Sequence, residues 1–361
     1  MRRGIVHIGL PRTGTSSFQD VLHRRRAALA AAGVLYPDLA AAVPGADAGN
    51  HKLLGEVLDG RRPAAEGATA LAALDRALAA TGADVAILSY EGLVRMGPRI
   101  APWRTLSAAL ARHGFAMEVL LTVKAQGEYL NSLYTLRVRR LDEGRRFGAF
   151  AAAMLRHRPL DYATMAVPWR DAASGRLRAV PLADRRSPAP LVERIFAELG
   201  LLERVRSVLA AEDLAVATNR SPGPVAIEVA RRLHLRGAKE HLRERAQHAA
   251  REAEALALAR GLDAAVFDGV GPALGARIAG RFAAANDRFA DMAWGCPWPA
   301  RSADRAPGPS NEIGGRAADP ATEAAIVAIT DEIARRFALP AGSGRLWPGW
   351  RRAAAALRRY R

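Results

Sequence analysis

The sequence predicts an α/β fold, a parallel sheet flanked by helices, with a mainly helical C-terminal part. Three observations carry this. Short apolar runs bounded by glycine or turn residues read as strands buried on both faces: "GIVHIGL", "VAILSY" and "AMEVLLTVK". Helical patterns separate these runs, and alternation of this kind builds a parallel sheet covered by helices. Beyond about residue 190 the strand signals stop and Ala-rich helical patterns take over.

The elements follow in order. Gly4 to Leu10 is the first strand, and a helical pattern runs from Thr15 to about Ala32, closed by Gly33. Helical patterns near 66–80 and 103–113 bracket the second strand, Val85 to Tyr90. The third strand is Ala116 to Lys124, followed by a helix from about Gln126 to Leu141, and "GRLRAVPLA" (Gly175 to Ala183) supplies a fourth strand. The segment from Arg236 to Arg260 reads as a long charged helical stretch. Its His241 and His248 share one face without a third ligand, so a solvated face is expected there and not a metal site. "DGVGPALG" (Asp268 to Gly275) follows no strand and reads as a helix-start turn. Residues 297–320 are rich in Pro, Gly and small polar residues, as in a connector. Two short helices are expected after it, ending in the basic "WRRAAAALRRYR". The expected organisation is one domain over 1–295, then a connector and helical extension over 296–361.

The bulk numbers bound the function. A chain of 361 residues, half of them hydrophobic, can bury a sizeable core. Its 53 basic and 36 acidic residues give a net charge of +17, and lysine occurs only at Lys52, Lys124 and Lys239. An arginine excess of this kind follows from codon bias in a GC-rich genome. It also follows from attraction to a polyanion: nucleic acid, acidic glycan, anionic membrane or phosphate-rich cofactor. Aromatic residues make up 6% and no nucleic-acid-binding module is present, which argues against nucleic acid as partner. The single cysteine, Cys296, suits a reducing compartment. No apolar run reaches the ~18–20 residues of a membrane span, and the basic N-terminus leads into a strand and not a signal peptide. The expected location is cytoplasmic, with a basic surface able to touch the inner face of a membrane.

The most informative stretch is "HIGLPRTGTSSFQ", His7 to Gln19. A strand, a glycine-bearing turn and a helix form a phosphate cradle, because N–H groups of the turn and the first helical turn lack partners and point at an anion. Gly9 and Gly14 frame the turn, Thr13, Thr15, Ser16 and Ser17 add hydroxyls, and Arg12 adds a fixed charge. Capping alone needs one hydroxyl. The spacing fits the nucleoside-triphosphatase pattern G-x-x-x-x-G-K-[ST], but Thr15 stands where the lysine belongs. ATP hydrolysis of the usual kind is therefore disfavoured. A P-loop kinase or phosphotransferase is the alternative; it predicts an acidic strand end for Mg and a lysine after Gly14.

The same stretch resembles the 5'-phosphosulfate loop of sulfotransferases that use 3'-phosphoadenosine 5'-phosphosulfate (PAPS), whose pattern is P-[KR]-[ST]-G-[ST]-[ST] after a strand. Pro11, Arg12, Thr13, Gly14, Thr15 and Ser16 match it in order. The family also places a basic residue at the end of a later strand and a serine eight positions on, both gripping the 3'-phosphate. Lys124 closes "VLLTVK" and Ser132 lies in "YLNSLY". The family commonly has arginine at the first of these positions; lysine keeps the charge and loses the bidentate fork. Weaker similarities extend the resemblance over about residues 3 to 295. The R-K-G-x-x-G element of cytosolic animal sulfotransferases is absent, and Asn219, Arg220 and Ser221 are the candidates to cover that side of the cofactor.

The resemblance implies a P-loop NTPase-like sulfotransferase fold. It implies transfer of a sulfuryl group from PAPS, without a metal, to a hydroxyl or amine of an acceptor such as a glycan or other carbohydrate. Arg12 then acts as an electrostatic clamp on the leaving phosphate, since arginine does not give up its proton near neutrality. Two residues are candidates for the base. His51, in "AGNHKLLGEVL", starts a helix and has an ordinary pKa suited to the task. Glu91, in "ILSYEGL", stands at the carboxyl end of a strand, where open α/β sheets bind ligands. His7, Tyr134 and Trp169 are expected in the core. The basic run Arg137, Arg139, Arg140, Arg145 and Arg146 is expected on a solvated face, or in contact with an anionic ligand.

Overall fold

The computed structural model describes residues 1–43, 46–96, 100–156, 160–216, 221–306, 308–314 and 319–339. In chain order the first half contains β1 (Arg2–His7), α1 (Thr15–Arg24), α2 (Arg26–Ala31), β2 (Val34–Leu35), α3 (Lys52–Leu58), α4 (Ala64–Ala80), β3 (Val85–Ser89), α5 (Ile100–Arg112), β4 (Phe115–Val123), α6 (Gln126–Arg139), α7 (Phe147–Arg156), α8 (Tyr162–Ala172) and β5 (Leu177–Pro181). Helices alone follow among the described residues: α9 (Leu191–Glu198), α10 (Leu202–Arg206), α11 (Ala211–Leu214), α12 (Pro224–Leu235), α13 (Ala238–Leu242), α14 (Ala246–Ala259), α15 (Pro272–Trp294), α16 (Trp298–Arg301) and α17 (Pro320–Arg336). The five strands pair in the order β2-β3-β1-β4-β5, all parallel. This is the expected architecture, a parallel sheet flanked by helices with a helical C-terminal part. No described helix is long and apolar enough to cross a membrane.

The described residues divide into two compact units that interleave along the chain. The first comprises 1–129, 158–219 and 277–305, and the second 130–157, 220–276 and 306–361. The first unit holds the whole sheet. β1 lies at its centre, so Ile5 and Val6 are fully buried, as an apolar run between two strand neighbours requires. Phe18, Val21 and Leu22 of α1 pack with Ile5, Ile87 and Leu120 of the sheet and with Val192, Ile195 and Phe196 of α9. The two N-terminal arginines tie the sheet to its surroundings. Arg2 donates to the carbonyls of Thr81, Ala83 and His113 and lies over the Phe115 ring, and Arg3 pairs with Glu118 at 2.8 Å. Trp169 is fully buried here.

In the second unit α12 packs on α14 and α17, and Arg232 of α12 grips Glu323 of α17 with two bonds of 2.7 and 2.8 Å. Tyr134, Phe147, Phe150 and Phe267 form its aromatic centre. Much of the basic run serves this unit's own structure. Arg139 pairs with Glu254, Arg145 with the buried Glu143, and Arg146 donates to the Ile313 carbonyl.

Several expectations are corrected. The first helical pattern is two helices, broken at Arg25, and β2 carried no readable signal because two residues cannot show a period. The stretch 236–260 is not one helix. Gly237 (φ 76°) and Arg243 (φ 51°) turn the backbone left-handed, so His241 and His248 sit on different helices. Among the described residues one helix of 17 residues, α17, follows the connector, and the place of the second expected helix lies outside them. The basic terminal stretch lies outside the described residues, as do Asn219 and Arg220.

Candidate active site

The first unit builds a site at the carboxyl ends of its three central strands. β1 stays with β4 one residue past its end, where the Ile8 N–H donates to the Leu120 carbonyl at 3.0 Å. The chain then turns through Gly9 to Gly14 and enters α1. Arg12 (φ 71°) and Gly14 (φ 82°) are both left-handed, the first at a cost that a non-glycine residue bears only where the turn demands it. A Cβ on Gly9 would lie 2.6 Å from both His7 Nε2 and Thr15 Cγ2, and one on Gly14 would lie 2.1 Å from Leu191 Cδ2. Gly14 is the N-cap residue of α1 and has no side chain to cap it. No side chain therefore caps the start of α1; the Ser17 N–H turns back to the Gly14 carbonyl at 3.2 Å, and an uncapped helix start of this kind suits an anion.

The hydroxyls of this turn divide their work. Thr13 is fully buried; its Oγ1 donates to the Leu10 carbonyl and lies 2.7 Å from Thr122 Oγ1, which braces the turn against β4. Ser16 is exposed. Thr15, the first residue of α1, is buried and its hydroxyl donates to Glu91 Oε1 at 3.0 Å. Glu91 follows β3, the strand beside β1, so sheet order alone brings the carboxylate to the turn. Gln19, one helical turn after Thr15, donates its amide to Glu91 Oε2 at 3.4 Å and to Ser89 Oγ at 3.1 Å. Ser89 Oγ in turn lies 2.8 Å from His7 Nδ1. His7 is fully buried, which lowers its pKa to about 3 and keeps it neutral, and its Nε2 has no hydrogen-bond partner.

The two candidate bases have different surroundings. His51 precedes α3 and is buried against Tyr36. Its Nδ1 accepts from the Ser89 N–H at 3.0 Å, so Nε2 carries the proton and donates to the Pro37 carbonyl at 3.0 Å. Burial lowers its pKa to about 4. With both nitrogens engaged by backbone, His51 braces the end of β3 and offers no lone pair to an acceptor proton. Glu91 instead touches the turn itself.

Lys124 stands just past β4. It is 8% exposed, and its backbone carbonyl accepts from the Tyr162 hydroxyl at 2.6 Å. Burial lowers its pKa to about 8; Glu128 opposes this through its Coulomb field and Arg12 adds to it. Among the described residues Lys124 has no ion-pair partner. A desolvated ammonium beside a guanidinium is costly until an anion joins them. Lys124, Arg12 and the glycine-framed turn therefore fit the anionic groups of a phosphosulfate or phosphate cofactor. Ser132 lies eight positions further along α6, in the second unit, half-buried. Ser221, also in the second unit, is half-buried.

Gln19, Ser89, Thr122 and Tyr162 were not singled out by the sequence. The spacing of four between Thr15 and Gln19, which puts them on one helix face, is the signal that could have found Gln19. Ser89 and Thr122 are partners only through sheet order, and Tyr162 only through the start of α8 meeting the end of β4.

No family model and no curated protein matches the chain. Among solved structures, a sulfotransferase from Alicyclobacillus acidocaldarius aligns with 66% of this chain and 96% of its own, at 15% sequence identity and a TM-score of 0.35.

Proposed function

We propose that this chain is a sulfotransferase that moves a sulfuryl group from PAPS to a hydroxyl or amine of an acceptor such as a carbohydrate. The observation that carries the reading is Lys124, a buried cation without a described counter-ion, set in the field of Arg12 at the glycine-framed turn. PAPS supplies an activated sulfuryl group whose departure leaves charge on a phosphate oxygen. Arg12 and the N–H groups opening α1 stabilise that charge. Glu91 takes the proton that the acceptor releases. By the sequence resemblance, Pro11 to Ser16 hold the 5'-phosphosulfate, and Lys124 and Ser132 hold the 3'-phosphate.

The kinase alternative finds an acid at a strand end in Glu91 but lacks the lysine after Gly14. Incubation with sulfur-labelled PAPS and a panel of carbohydrate, alcohol and amine acceptors tests the choice. Label on an acceptor, lost in Glu91→Ala and Arg12→Ala, is expected. Phosphoryl transfer from ATP–Mg to the same panel, with none from PAPS, would replace this reading with the kinase.

A further inference from the structure

Thr15 and Glu91 stand in a relation that the resemblance does not contain. A threonine hydroxyl has one proton and serves one acceptor at a time. In this structure that proton goes to Glu91 Oε1. Yet Thr15 opens α1 and belongs to the turn that, on the reading above, the 5'-phosphosulfate fills, while the buried Lys124 is assigned to the cofactor's other anionic end. We propose that the Thr15 hydroxyl is a shared donor, held by Glu91 while the turn is empty and passed to the cofactor anion when the turn fills, so that filling the turn uncovers the Glu91 carboxylate for the acceptor's proton. This rests on the sulfotransferase reading above.

The surroundings suit such a change of partner. Glu91 has a donor on each oxygen, Thr15 on Oε1 and Gln19 on Oε2. When Thr15 leaves, Gln19 stays, and Gln19 is itself anchored through Ser89 Oγ to the buried, neutral His7. The carboxylate therefore keeps its place while one oxygen gains a free lone pair. The released lone pair accepts the acceptor proton as the new sulfur–oxygen bond forms, and the electron pair of the broken bond leaves on the phosphate. Before the cofactor enters, the same lone pair is occupied, so the order is cofactor first and deprotonation second.

Equilibrium binding of adenosine 3',5'-bisphosphate tests the shared donor without needing an acceptor. Calorimetric titrations compare the wild type, Thr15→Val, Glu91→Ala and the double variant. With Glu91 removed, the hydroxyl no longer leaves a charged partner to reach the ligand. Glu91→Ala is expected to bind more tightly than wild type, and Thr15→Val is expected to weaken binding by ~3–10-fold more in the Glu91→Ala background than in the wild type. Thr15→Ser, which keeps the hydroxyl, retains the wild-type behaviour, and Thr15→Ala, which removes it, stands in if valine disturbs α1. Equal losses in both backgrounds would overturn the shared donor and leave the sulfotransferase reading intact. Absence of bisphosphate binding by a folded wild type would overturn both.

Discussion

Affinity for adenosine 3',5'-bisphosphate is expected to fall as pH rises through about 8, with Lys124 setting the midpoint. The ammonium starts from an ordinary value of 10.5; burial lowers it to about 8, with Arg12 adding to the shift and Glu128 opposing it. If the anion binds the protonated form, the apparent Kd grows as one plus ten to the power of pH minus pKa. That factor is about 1.1 at about pH 7 and about 11 at about pH 9, a tenfold weakening worth about 1.4 kcal/mol. Titration calorimetry at constant ionic strength across this range reads it directly. Lys124→Arg keeps its charge throughout and removes the slope, although it binds the ligand through a different fork. A wild-type affinity that stays flat from about pH 7 to about pH 9 would refute the claim that this buried lysine meets the anion.

Other outcomes follow from the same geometry. Without ligand, Lys124 makes the fold less stable once protonated. The unfolded chain binds more protons between about 8 and 10.5, so stability rises with pH through that window, and chemical denaturation should show the rise vanish in Lys124→Met. His51→Leu is expected to cost roughly 1–3 kcal/mol of stability by orphaning the Ser89 N–H and the Pro37 carbonyl, visible as a lowered denaturant midpoint with bisphosphate binding retained. Glu91→Gln is expected to do the reverse, losing roughly 10²–10⁴-fold in kcat at unchanged stability; turnover kept in Glu91→Gln and lost in a folded His51→Leu would restore His51 as the base. Gln19→Leu should lower kcat by about tenfold or more while leaving bisphosphate affinity near wild type, since the Gln19 amide is spent on Glu91 and Ser89. Gly9→Ala should abolish bisphosphate binding in a calorimetric titration, because its Cβ meets His7 and Thr15 inside the turn.

The sheet was legible where its strands are long. "GIVHIGL", "VAILSY" and "AMEVLLTVK" are apolar because β1, β3 and β4 have neighbours on both sides, and burial of both faces erases alternation. β2 was not legible, since Val34–Leu35 is too short to carry a pattern. The turn after β1 was legible from Gly9, Arg12 and Gly14, for close backbone approach needs glycine at fixed positions. The break at Arg243 was hidden, because a non-glycine residue gives no sign of a positive φ.

His51 and Glu91 could not be ranked from the chain. Each follows a loop, and what separates them is remote: Pro37 lies 14 residues from His51, Ser89 lies 38, and Thr15 lies 76 from Glu91. The Thr15–Glu91 bond depends on β3 lying beside β1, and the His51 bonds depend on the start of α3 lying against Pro37 and the end of β3, neither of which spacing along the chain encodes. Lys124 was found by spacing, but its burial beside Arg12, the feature that makes it a demand for an anion, belongs to the fold.

The most direct test of the central claim is a calorimetric titration of wild type and Lys124→Ala with adenosine 3',5'-bisphosphate, AMP and ATP–Mg. Tight binding of the bisphosphate over the other two, weakened by at least tenfold in Lys124→Ala while the variant stays folded, is the predicted result. Preference for ATP–Mg, or bisphosphate affinity indifferent to Lys124, would contradict the account.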